Sequence, residues 1–248
     1  MLSEIKMRRY SFAEILASSS YFYQRHFGFL LGVNFIAFFT GAIAVHLSFV
    51  GSVACSFAFP MVMLLISQAV GRDVEAIPWQ FTTIWRSSLN KLGTVFKAEL
   101  LMLALCSICF VQGLIAQNLM ASLFKEFAIF ASNPLLGFIG LLVPIILFQY
   151  SAYIIATSKK SSVRALKYSS ILVRKSIIDN TATLLLTFGV SLSIRYGYGY
   201  LFSPWKEHFF LFYLGDFLCS LANIFSIVVS VISFLNYDCE YKRERELH

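Results

Sequence analysis

Nine side chains able to donate, accept or carry a proton fall inside long apolar runs: Asn34, Gln68, Glu99, Gln112, Gln149, Asp179, Asn180, Asp216 and Asn223. Polar groups are costly inside a bilayer, so such residues mark ion or proton pathways, or they hold helices together. Glu99 and Asp179 fall near the ends of their runs, beside Lys97 and Lys175, and Asp216 falls near the end of its own. Solvation or pairing accounts for these three carboxylates. Asn34, Gln149 and Asn223 lie deeper, where amides commonly bond a neighbouring helix. No isolated deep carboxylate of the proton-relay kind stands out.

Other chemistry is thinner still. His26, His46, His208 and His248 have no metal-ligand spacing, and HExxH is absent. There is neither a GxxxxGKS or GxxxxGKT phosphate loop nor a GxSxG elbow. Gly197-Tyr198-Gly199 lacks the strand–helix context of a nucleotide site. Cys106 and Cys109 have redox spacing, but they sit within an apolar run that disfavours a thiolate. With Cys55, Cys219 and Cys239 they form no disulfide framework. No catalytic residue, metal ligand or cofactor is expected, and the chain reads as non-enzymatic.

Composition sets the class of element that holds these residues. Of 248 residues, 58% are hydrophobic, 13% are charged and 26 are Phe. A soluble domain carries about 25% charged residues, and disordered chains are poor in aromatics, so both classes are excluded. A spanning helix needs about 20 mostly apolar residues. Six such runs predict an all-α polytopic membrane protein, one transmembrane domain over residues 1–248. The spans are Phe27–Leu47, Phe49–Val70, Ala98–Gln117, Leu135–Thr157, Ile177–Ile194 and Leu214–Tyr237. The first two are so tightly linked that they must form a hairpin. The first 26 positions are interrupted by charge, and the first apolar run is too long for a cleavable signal.

The net charge of +7 could suggest nucleic acid as a partner, but the distribution says otherwise. Lys6, Arg8, Arg9, Arg25, Arg72, Arg86, Lys91, Lys97, Lys159, Lys160, Arg164, Lys167, Arg174, Lys175, Lys242, Arg243 and Arg245 all fall on one side of the predicted spans. Only Lys125, Arg195 and Lys206 fall on the other. The positive-inside rule then places both termini in the cytoplasm, in a multi-pass inner (plasma) membrane protein.

Three segments align without gaps, beginning at Phe12, Phe81 and Val163. Each has apolar first and fourth positions, then a serine pair (Ser18–Ser19, Ser87–Ser88, Ser169–Ser170), then basic residues, then a span. The apolar spacing predicts a basic amphipathic helix at the cytoplasmic interface. The repeating unit is one such helix plus a two-span hairpin, over about 10–70, 79–157 and 161–238. Pro60 and Pro144 fall within the second span of the first two units, where each should bend the helix. Between the spans, residues 118–134 and 195–213 read as outer loops. In the latter, Tyr196, Tyr198, Tyr200, Trp205 and Tyr213 read as an aromatic belt.

Basic residues beside hydroxyls at an interface suit anionic headgroups on the cytoplasmic side. The candidates for lipid contact are Arg25, Lys91, Arg174, Lys175, Ser19, Ser88 and Ser170. Close helix packing is the competing, and favoured, role for the serines. Membrane lipids are the expected partner, with a second membrane protein or a second copy of the chain as further candidates. Nucleic acid is not expected.

The stretch VPIILFQYSAYIIATSKKSSVRALKYSSILVRK resembles the membrane domain found with some glycerophosphoryl diester phosphodiesterases, and small six-span bacterial inner-membrane proteins related to it. The matching positions are Ala165, Leu166, Ser169, Leu172, Val173 and Arg174, with Lys175 where the family usually has Gly. The end of the last span, Tyr237, Asp238, Lys242 and Glu244, resembles the family's acidic–basic tail. The resemblance implies a six-span plan without that enzyme activity, because the activity resides in a separate barrel for which 248 residues of spans and short loops leave no room. The expected function is a scaffold, accessory or lipid-organising module; the alternative is a transporter or permease subunit.

Overall fold

The computed structural model describes residues 2–46, 48–123, 135–202 and 209–246, and all regular structure among them is helical. A short 3-10 turn, Leu2–Lys6, precedes α1 (Phe12–Arg25), α2 (Phe27–His46), α3 (Ser48–Val74), α4 (Phe81–Leu123) and α5 (Leu135–Phe148). Then come α6 (Ser151–Thr157), α7 (Ser162–Lys175), α8 (Ile177–Phe202) and α9 (Phe209–Glu246). Among the described residues, three stretches are long and apolar enough to cross a membrane: Phe81–Met120, Leu136–Thr157 and Tyr213–Glu246. Lys125, Glu126, Phe127, Phe130, Trp205, Lys206 and His208 lie outside the described residues.

Local chemistry sets the helix ends. Ser11 caps α1: its hydroxyl accepts from the Glu14 amide while Glu14 reaches back to the Ser11 N–H. Arg8, 2.6 Å from Glu14, and then the Ser11 contacts hold the Glu14 carboxyl down at about 2. His26 (φ −111°) and Ser176 (φ −136°) leave helical geometry and separate α1 from α2 and α7 from α8. His26 bonds Asp73 on α3, and the Ser176 carbonyl accepts from Asn180 Nδ2 in the first turn of α8.

The middle unit differs. Counted from the helix start, Val95 stands where the others have His26 and Ser176, and it is fully buried. At this apolar position the expected interfacial helix and the third span run on as one helix of 43 residues. At 1.5 Å per residue that helix is about 65 Å long, twice the roughly 30 Å hydrocarbon layer. Its first half therefore stands off the apolar stretch as an extension of it, not as a separate helix lying across it.

Two other boundaries move. The fourth span is one run in sequence but two helices, and the interruption falls at Gln149–Tyr150, not at Pro144. The helix α8 continues to Phe202, past the predicted Ile194, so residues 195–202 are helix rather than loop.

In packing, α2 lies on α3, α4 on α5 and α8 on α9. The helix α3 also meets α6 and α9, the Tyr153 ring of α6 reaches Phe234 of α9, and the facing residues form the core: Leu64, Leu65, Ile66, Ile154, Ile155, Val228, Ile232 and Phe234 are all buried. Around them α1 packs on α9, the first half of α4 on α3, and α7 on α5 and α6. The second half of α4 exposes Leu103, Ile108, Val111 and Ile115. It approaches α5 so closely that a Cβ at Gly113 would strike the Leu136 carbonyl, and one at Gly140 the Cys109 carbonyl.

Candidate functional site at the basic end of the helices

The helices α1, α4 and α7, which carry the sequence-predicted serines, start at comparable points. The fourth residue of each helix is Ile15, Ile84 and Ala165, and the eighth is Ser19, Ser88 and Ser169; all six are buried. The gapless alignment pairs Ser170 with Ser19 and Ser88, but α7 begins one residue earlier, at Ser162, and brings Ser169 into that place. Ser88 Oγ accepts from Gln68 Nε2 at 3.1 Å, and Ser19 Oγ donates to its own Ile15 carbonyl at 2.7 Å. Ser169 Oγ donates to the Leu147 carbonyl at 2.9 Å and accepts from the Tyr150 N–H at 3.2 Å, bridging the interruption between α5 and α6. Ser19 and Ser88 thus face protein. Ser170 is half-buried and donates to the Lys167 carbonyl.

The basic candidates divide in two. Lys91 takes the eleventh place of its helix, where α1 and α7 have buried Phe22 and Leu172. Its ammonium donates to the Ala156 and Ser158 carbonyls at 2.5 and 3.3 Å, closing the C-terminal end of α6. Burial, with nearby Arg72, pushes the Lys91 pKa down. Lys175 pairs with Glu244. Arg25 and Arg174 are exposed and form no ion pair among the described residues.

The two short stretches that carry the family resemblance come together in space. Ala165, Leu166, Ser169, Leu172 and Val173 form the buried face of α7, and Tyr237 and Asp238 are buried on α9. Next to that face, Tyr168 donates to Asp238 at 2.7 Å, and Lys242 pairs with the other Asp238 oxygen at 2.7 Å. The Lys160 ammonium sits 3.2 Å from the centre of the Tyr168 ring. Burial and the Asp238 charge push the Tyr168 pKa well up. No family model, curated protein or solved structure matches this chain. The same end also holds the N-terminus. Asn236 accepts from the Tyr10 N–H at 2.8 Å and donates to its carbonyl at 3.1 Å, while Arg9 pairs with Asp179 at 2.6 Å and Glu240 at 3.3 Å. The partner of Asp179 is therefore Arg9, 170 positions away, rather than the neighbouring Lys175.

One cluster escaped the sequence reading. His26 Nε2 lies 2.8 Å from Asp73 Oδ2, Trp79 Nε1 donates to Asp73 Oδ1 at 2.9 Å, and the His26 and Trp79 rings are 4.9 Å apart. The position of His26 at the end of an amphipathic segment was the one available signal, since its partner comes 47 residues later.

Among the deep amides, Asn34 is fully buried and donates to the Phe217 carbonyl at 3.2 Å. Its Oδ1, like Gln149 Nε2 and Asn223 Oδ1, has no hydrogen-bond partner among the described residues. Asn180 accepts from the Tyr150 hydroxyl at 2.5 Å. Glu99 is half-buried and Asp216 lies close to Tyr198 on α8. Cys106, Cys109, Cys219 and Cys239 form no disulfide, and no group of three metal-ligating side chains occurs, among the described residues.

Proposed function

We propose that this chain is a non-enzymatic inner-membrane module that organises anionic lipid at its cytoplasmic face, crossing the membrane six times as three related hairpins. The observation that carries the lipid part is the outer face of α7 and the start of α8. There Arg164, Lys167 and Arg174 are exposed beside exposed Val163, Ile171, Ile177 and Ile178. That pairing of basic and apolar side chains suits a headgroup layer, where each Lys or Arg near an anionic surface contributes about 1 kcal/mol. In support of a cyclic threefold plan, each helix that precedes a hairpin packs on the second helix of another unit: α1 on α9, α4 on α3, α7 on α5 and α6. The resemblance to the phosphodiesterase-associated membrane domain points the same way. Nanodiscs assembled around the protein from equal phosphatidylcholine and phosphatidylglycerol test this reading. Lipid extracted from the purified discs is expected to be enriched in phosphatidylglycerol over protein-free discs, and an unchanged ratio contradicts it.

A second reading, a transporter or permease subunit, is favoured by the unpartnered amide atoms of Asn34, Gln149 and Asn223. Such groups line polar pathways between helices in transporters. Substituting the three with Leu and measuring flux separates the readings.

A further inference from the structure

A cavity of about 550 Å³ lies between the α1–α2 break and the connection from α3 to α4, with Tyr21, Arg25, His26, Asp73, Ile77 and Trp79 in its walls. One wall is held under strain. Ile77 N–H bonds the Arg72 carbonyl at 2.9 Å and Ala76 N–H bonds the Asp73 carbonyl at 3.1 Å, the pattern of a helix end that normally carries glycine. Here the position is Ala76, at φ 57°, a conformation that a side chain disfavours. Strain of this kind persists only where its surroundings impose it, and it concentrates at ligand clamps.

We propose that this cavity binds the phosphate ester of a phospholipid headgroup, with Arg25 as its anion contact. The assignment rests on the lipid-facing reading above and adds a specific site to it. A guanidinium offers a planar fork of donors that matches phosphate, and Arg25 presents one without an ion-pair partner among the described residues. The one carboxylate in the walls, Asp73, has its two oxygens turned to His26 and Trp79, so it does not occupy the arginine. The ring of Trp79 is fixed by that bond and by Phe29, 5.0 Å away, whose other neighbour at 6.1 Å is Phe81. Exposed Ile77 and Phe81, with Phe27 next to His26 in the chain, give an apolar border beside the cation. Acyl chains gain from that border and a soluble phosphate ester does not, so the lipid-borne form is the tighter ligand.

The full chain carrying Trp85→Phe and Trp205→Phe keeps Trp79 as its sole tryptophan. In neutral detergent micelles it is titrated with phosphatidylglycerol, with diacylglycerol and with glycerol 3-phosphate, and Trp79 emission is read. The expected result is a saturable response to phosphatidylglycerol and none to diacylglycerol. Glycerol 3-phosphate binds at least about tenfold more weakly, and Arg25→Gln weakens phosphatidylglycerol about tenfold, the loss of one charge-assisted contact. Arg25→Lys falls between. Equal affinity for glycerol 3-phosphate overturns the lipid assignment in favour of a soluble phosphate ester. A curve indifferent to Arg25→Gln overturns the site itself, whereas phosphatidylglycerol enrichment in nanodiscs would still stand; loss of that enrichment overturns the broader reading instead.

Discussion

Ser169 shows how much one hydroxyl can hold at the residue scale. It bridges the Leu147 carbonyl and the Tyr150 N–H where the α5–α6 run is interrupted, in a place with no exposure to solvent. Ser169→Ala leaves both backbone groups buried without this partner, at a cost of about 1–3 kcal/mol. Thermal unfolding in detergent should show a clearly lowered midpoint for Ser169→Ala and little change for Ser170→Ala, whose hydroxyl bonds only its own helix. The serine pair was legible in the sequence because its spacing recurs three times. Which member is buried was not, because that depends on a one-residue difference in where α7 begins. The His26–Asp73–Trp79 cluster was not legible either, since its members look unremarkable one by one and meet only when α1 ends beside α3.

At the scale of elements, the apolar runs and basic segments announced the helices. Apolar periodicity reports that a helix forms but not whether it joins the next one. The same place in the three helices holds polar His26 and Ser176 at the two breaks and buried Val95 where the helix runs on. Likewise the run around Pro144 fixed neither the site of interruption nor the group that satisfies it. The α4–α5 pair makes a separate point, because its contact depends on absent side chains. Gly140→Ala would push a methyl into the Cys109 carbonyl, whereas at Gly189, on α8, an added Cβ meets nothing within 4 Å. Overpacking costs typically about 1–3 kcal/mol, while Gly to Ala in an unobstructed helix gains up to about 1 kcal/mol. Gly140→Ala is therefore expected to lower the unfolding midpoint and speed maleimide labelling of Cys109, and Gly189→Ala to raise the midpoint slightly.

For the whole molecule, charge and packing converge on one end. Arg9 pairs with Asp179 of α8, Lys91 of α4 closes the end of α6, Lys160 of the α6–α7 connection lies over the Tyr168 ring of α7, and Lys242 pairs with Asp238 within α9. That end also holds the core residues of α3, α6 and α9, so the basic layer and the best-packed part of the fold coincide. Six crossings with this layer on the cytoplasmic side is the arrangement on which the lipid reading rests. It is tested most directly by single cysteines placed at Ser122, Ser161, Ser203 and Arg245 in a chain whose five native cysteines are replaced. Intact cells are treated with a membrane-impermeant maleimide. Positions 122 and 203 should label at once, and positions 161 and 245 only after the membrane is opened. Labelling of 161 or 245 in intact cells, or protection of 122 or 203 there, would contradict six crossings with the basic layer inside.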